Sequence, residues 1–185
     1  MKLAIVGLWH LGTIISAGLS LLNKNKIYCF DEDKIIKKFK EKKLQINEKK
    51  IQKIIKKNYD KNIFFSSDLK KLREFDTIWI TYDTQINKND VSDFNLLFKN
   101  LKKIFNFLNK KTLILISSQI PIGSIKKLEL YDREKLKKKL TFVYIPENLR
   151  LGDSLKIFLN SPDIIIGLRN KSVKTGDSLT VNVNS

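Results

Sequence analysis

The sequence predicts a doubly wound α/β domain, a mainly parallel sheet with helices on both faces. Three observations lead there: short apolar and β-branched runs, segments of helical period lying between them, and a length of 185 residues, enough for one such domain with its own core. Strands alternating with helices imply βαβ units, and right-handed crossovers then wind the chain onto both sides of the sheet.

Leu3 to Val6 is a first apolar run closed by Gly7, and His10 to Leu22 places Leu11, Ile14, Ile15, Leu19 and Leu22 at helical spacing. Ile27 to Phe30 is the second strand and ends at Asp31. Lys34 to Lys57 carries Ile35, Ile36 and Phe39, then Ile51, Ile54 and Ile55, which predicts two lysine-rich helices broken around Gln45 to Asn47. Asn62 to Phe65 follows as a short strand, and Asp68 to Arg73 as a short helix with a carboxylate near its start to complement the helix dipole.

Asp76 to Tyr82 is β-branched and aromatic, the pattern of a buried strand, and Asp83 to Asp90 is a polar loop. Asp90 to Leu108 spaces eight apolar residues as one long amphipathic helix. Thr112 to Ile116 is a strand ended by the loop Ser117 to Gly123, and Ile125 to Leu140 is a helix with an interruption. Phe142 to Ile145 is the next strand, Pro146 to Arg150 a loop, Leu155 to Leu159 a short helix, and Asp163 to Ile166 the last strand. Residues 1–167 form the expected domain; 168–185 are polar and read as a tail or an edge strand.

The formal net charge of +17 would suit nucleic acid, an anionic surface or a phosphate-rich ligand. Arginine, however, occurs only at Arg73, Arg133, Arg150 and Arg169, while lysine, asparagine and isoleucine abound, the signature of AT-rich codons. Phosphate recognition favours arginine forks, so the charge is read as compositional and no specific nucleic-acid partner is expected. A single cysteine, Cys29, permits no intrachain disulfide. No window approaches the roughly 18 apolar residues needed to cross a bilayer, and the start lacks the features of a signal peptide, so no membrane association and a cytoplasmic setting are expected.

The first strand-to-helix turn is Gly7-Leu8-Trp9-His10-Leu11-Gly12. It keeps the first and third glycines of a dinucleotide fingerprint, with Trp9 at the position of the second. Amide N–H groups at the start of the helix would face a diphosphate. Asp31, about 20 residues on at the end of the second strand, is where a carboxylate accepts from ribose hydroxyls and repels a 2′-phosphate, which favours NAD over NADP. His10, the only histidine, suits packing or a phosphate hydrogen bond better than proton transfer. No His, Cys and carboxylate cluster has metal-ligand spacing, and no metal is expected.

Four segments in order carry a resemblance: the opening turn with Asp31; Thr81-Tyr82-Asp83-Thr84; Ser118-Gln119-Ile120-Pro121-Ile122-Gly123; and Pro146-Glu147-Asn148-Leu149-Arg150-Leu151-Gly152. Phe158 to Gly167 continues it. The chain resembles the N-terminal, Rossmann-type NAD-binding domain of the UDP-glucose/GDP-mannose dehydrogenase family of nucleotide-sugar dehydrogenases. The resemblance implies NAD held by residues 7–12, Asp31, Thr81, Tyr82, Thr84 and Ser118. Glu147, Leu149 and Arg150 would face a nucleotide sugar such as UDP-glucose, with Glu147 orienting water or acting as a base.

The implied reaction oxidises the sugar's primary alcohol to a carboxylate, by way of a thioester on a cysteine. That cysteine, with the family's catalytic lysine and asparagine, belongs to a region beyond the matched residues, and Cys29 does not replace it. The sequence therefore suggests a fragment or truncated product that is inactive alone. Gln119 stands where the family has a catalytic-side threonine and Leu151 where it has a second glutamate, and Leu151 cannot ionise. A non-catalytic binding or interaction module derived from the same family is the alternative, and a homo-oligomer is left open.

Overall fold

The computed structural model describes residues 2–22, 26–41, 48–83, 94–146, 149, 152–160 and 166–167. Six strands, β1 (Leu3–Val6), β2 (Ile27–Phe30), β3 (Ile63–Ser66), β4 (Thr77–Ile80), β5 (Leu113–Ile116) and β6 (Thr141–Tyr144), form one sheet in the order β3-β2-β1-β4-β5-β6. Every pairing is parallel, from Ile27 against Ile63 at one edge to Ile116 against Tyr144 at the other. The order reverses direction between β1 and β4, and in an open parallel sheet that crevice is where ligands bind.

Helices α1 (His10–Leu22), α2 (Asp33–Lys40), α3 (Lys49–Asn58), α4 (Phe94–Phe107), α5 (Ser124–Tyr131) and α6 (Ser154–Asn160) cover both faces. The strand period of two sorts the core into halves. Ala4, Val6, Ile78, Ile80, Ile114 and Ile116 pack with Leu101, Ile104 and Phe105 of α4 on one face. Ile5, Cys29, Trp79 and Leu115 pack with α1, α2 and α3 on the other. The expected architecture and the strands within the described residues are found, each shifted by no more than a few residues at its ends.

Three local details depart from simple periodicity. The short helix after β3 is a 3-10 turn, Leu69–Glu74, capped by Asp68, whose side chain accepts the Lys70 N–H at 3.0 Å. The interruption after α5 is a π turn, Asp132–Leu136, followed by left-handed Lys137 and Lys139. Between them, Lys138 Nζ donates to the carbonyls of Phe105, Asn106 and Leu108 at 2.6–2.8 Å, satisfying the last turn of α4 from outside the helix. Buried Asp132 holds this segment by accepting the N–H groups of Lys138 and Leu140.

The proposed break at Gln45 to Asn47, the polar loop 84–90, the start of the long helix at 90–93 and the tail lie outside the described residues. So does the last strand except for Ile166; the next residue, Gly167, makes an isolated antiparallel bridge to Tyr144 of β6. Among the described residues no helix is long and apolar enough to cross a membrane.

Candidate functional site

Because every strand is parallel, the segments that follow β1, β2, β4, β5 and β6 gather at one edge of the sheet. Gly7 leaves β1 with a φ of +104°, a conformation glycine adopts without a Cβ penalty, and its N–H donates to Phe30 O at 2.9 Å. A Cβ on Gly7 would lie 2.7 Å from the Tyr82 nitrogen, and one on Gly12 only 1.8 Å from the Gly7 carbonyl oxygen. Thr81 Oγ1 donates to the same carbonyl at 2.7 Å. The turn is thus closed by Gly7, Gly12 and Thr81 packed backbone to backbone, which brings the start of α1 against the end of β4.

Thr81 is fully buried and spends its hydroxyl on the turn, so it supports the site from beneath. Leu8 and Leu11 are buried in the α1-side core. Trp9 is 48% exposed, and its φ lies outside the left-handed region. The backbone there does not require glycine; what changes is the bulk standing beside the turn. The Trp9 carbonyl accepts from the Thr13 N–H and hydroxyl, at 3.2 and 2.6 Å. His10, the first residue of α1, turns its ring toward Glu48, with Nε2 3.3 Å from Oε1.

Asp31 faces the turn across the crevice. Its Oδ2 accepts the Leu8 N–H at 2.5 Å and its Oδ1 the Glu32 N–H at 2.7 Å. Burial pushes its pKa above the ordinary carboxylate value, and these two backbone hydrogen bonds oppose that shift only in part. Each oxygen retains acceptor capacity for a ribose hydroxyl. Tyr82, next to the turn, has its phenol pKa raised by burial and by the charges of Asp31 and Glu32, so it is a neutral wall of this end of the crevice.

After β5, Ser117 Oγ accepts from Trp79 Nε1 at 2.9 Å, whereas Ser118 Oγ is buried with no hydrogen-bond partner among the described residues. An orphaned hydroxyl at this edge has its bonding capacity left for a ligand. Gln119 is exposed on the same loop. Beyond it, Ile120, Ile122, Ile125 and Tyr144 line a cavity of about 380 Å³. Leu149 packs on the α1-side core, while Thr84, Glu147 and Arg150 lie outside the described residues.

The structure therefore brings together the glycine turn, Asp31, Thr81, Tyr82 and Ser118. The donors at the start of α1, a carboxylate across from them and an orphaned hydroxyl suit a ligand that is anionic at its centre and carries ribose hydroxyls. No group of three or more His, Cys, Asp or Glu residues that could hold a metal occurs among the described residues. Sequence reasoning missed Glu48 and Ser154, whose side chains meet at 2.6 Å beside His10. Neither sits in a motif, and 106 residues separate them.

Comparison with known proteins agrees with this geometry. The family described as "UDP-glucose/GDP-mannose dehydrogenase family, NAD binding domain" matches residues 1–181. A UDP-glucose 6-dehydrogenase of Rickettsia prowazekii is 28% identical over 174 residues, covering 92% of this chain and 40% of that protein. An uncharacterised protein of Methanocaldococcus jannaschii is 25% identical over 177 residues, covering 94% of this chain and 19% of its own length. Among solved structures, a GDP-mannose dehydrogenase of Pseudomonas aeruginosa superposes with a TM-score of 0.81 at 20% identity, over 92% of this chain and 42% of that one, which shows a shared fold. The chain spans well under half the length of these relatives. With the family matched along nearly the whole chain and the fold in agreement, the chain belongs to the UDP-glucose/GDP-mannose dehydrogenase family as its NAD-binding domain.

Proposed function

We propose that this chain is the cofactor-holding part of a nucleotide-sugar 6-dehydrogenase, binding NAD at the crevice between β1 and β4. The observation that carries the reading is the turn closed by Gly7, Gly12 and Thr81 with the Asp31 carboxylate opposite it. In this reading the N–H groups at the start of α1 hold the diphosphate, Asp31 takes the adenosine ribose hydroxyls, and Tyr82 and the Ser118 hydroxyl line the pocket. NAD, when bound, supplies the oxidant for an alcohol substrate. By the family resemblance, Glu147, Leu149 and Arg150 are the residues assigned to the nucleotide sugar, and Gln119 takes the place of the family's threonine.

Trp9 gives a direct readout. The protein has two tryptophans, and Trp79 is buried in the sheet with its indole N–H bonded to Ser117. In a Trp79→Phe variant the emission comes from Trp9 alone, so titration with NAD is expected to change it with the same Kd that calorimetry gives on the wild-type chain. No heat of binding and no change in emission at millimolar NAD would refute the cofactor assignment.

These 185 residues by themselves are expected not to oxidise UDP-glucose. The only thiol, Cys29, is fully buried, lies 3.2 Å from Ser16 Oγ, and is pushed up to about 12 by burial. It is a packed side chain of β2 and not a nucleophile. The check is absorbance at the NADH band in the presence of NAD and UDP-glucose; sustained NADH production would mean that a complete catalytic set lies within the chain.

A further inference from the structure

Glu48 immediately precedes α3, and its side chain is only 13% exposed. One oxygen, Oε1, accepts from Ser154 Oγ at 2.6 Å and lies 3.3 Å from His10 Nε2, which carries the hydrogen in this contact because a carboxylate can only accept. The three side chains come from three elements. His10 opens α1 on the glycine turn, Glu48 leads into α3, and Ser154 opens α6.

The Ser154 contact is firmly seated. Ser154 is fully buried, and α6 presses on α1 so closely that a Cβ on Gly18 would fall 2.3 Å from the Phe158 ring. A carboxylate this near the start of α1 is unfavourable for a turn that must receive an anion, since both compete for the same positive end of the helix. Its position costs binding energy unless it does something else there. The fully buried Ser154 hydroxyl donates to Glu48, so a shift of Glu48 that broke this bond would leave a buried hydroxyl unpaired and strain α6.

We propose that Glu48 is a positioning residue that couples the glycine turn to α6, so that a dinucleotide on the turn tightens α6. The proposal rests on the reading of the turn as the NAD site. A constraint on His10 from a diphosphate held at the turn is passed through Oε1 to Ser154, the first residue of α6. Coupling of this kind is a free energy shared between two places and works equally in both directions.

The test is hydrogen–deuterium exchange on the whole chain, with and without NAD. Without NAD, Glu48→Ala is expected to speed exchange at both 8–13 and 154–160 by about tenfold, the worth of a buried hydrogen bond to a charged group, while β4 and β5 stay unchanged. Glu48→Gln, which keeps an acceptor oxygen, is expected to stay within about threefold of wild type. An effect confined to one segment, or none, overturns the coupling. With saturating NAD, wild type is expected to gain protection at 154–160 as well as at the turn, and Glu48→Ala only at the turn. Wild-type protection restricted to the turn also overturns the proposal. No protection anywhere counts against the NAD site instead, and the ligand-free arm then decides the role of Glu48. Should Glu48→Ala fail to fold, Ser154→Ala removes the far contact, and its exchange at 8–13 must rise for the proposal to stand.

Discussion

Replacing Gly12 by alanine is expected to abolish NAD binding and to destabilise the fold by about 3 kcal/mol or more. The added Cβ would sit 1.8 Å from the Gly7 carbonyl oxygen and 2.6 Å from Thr81 Oγ1. Neither neighbour can swing aside. Gly7 is fixed at the end of β1 by its hydrogen bond to Phe30, and Thr81 by those it makes to Val6 and Gly7. Relief comes only if the start of α1 lifts off the sheet, which opens the core under Leu11 and Ile15 and misdirects the N–H groups meant for the diphosphate. Urea unfolding measures the first effect and calorimetry the second. Gly123→Ala is the control: at a φ of +86° but with open space around it, the new Cβ brings only backbone strain, about 1 kcal/mol. Comparable losses in the two variants would refute the steric account of the turn.

The second large effect is expected at Asp31, where alanine should weaken NAD binding about 100-fold, the loss of a bidentate acceptor for ribose hydroxyls. The ligand-free protein is expected to respond differently. Burial raises the folded-state pKa of Asp31 above that of the unfolded chain, so the folded state favours the protonated carboxyl. The residue therefore adds its stability below the ordinary carboxylate pKa, and that contribution is lost as pH rises through the higher folded-state value. Asp31→Asn removes this loss while keeping a carbonyl oxygen for the Leu8 N–H. The stability of wild type relative to the variant should fall as pH is raised from about 4 toward neutrality. A difference that grows in favour of wild type over that range would show that the backbone hydrogen bonds outweigh burial. The site thus holds a carboxylate that is costly without ligand and useful with it.

Much of the architecture was legible because the strands are buried on both faces. Ile78 to Ile80 and Leu113 to Ile116 read as continuous apolar runs, and two glycines five residues apart with Asp31 downstream located the turn. The six residues after Asp68 are too few to separate a spacing of three from one of four, so the 3-10 turn looked like an ordinary helix. Thr81 was expected on the cofactor side of the turn; no local pattern in the sequence reveals that its hydroxyl donates to the carbonyls of Val6 and Gly7 beneath the turn. The Lys138 cap and the meeting of His10, Glu48 and Ser154 depend on contacts across 30 to 106 residues, and in a lysine-rich chain no single lysine or glutamate announces such a partner.

Cys29 sits in β2, level with Ile5 of β1 on one side and Phe65 of β3 on the other, wholly shielded from solvent. Since it is the only thiol, its alkylation has to wait for the sheet to part. The rate at which a thiol reagent consumes the native protein is therefore a clock for how often β2 separates from its neighbours, with no label to introduce. Run with increasing dinucleotide, the same clock slows in proportion to the fraction of chains that have bound it, so the packing of one inert side chain doubles as a gauge of occupancy at the neighbouring phosphate turn.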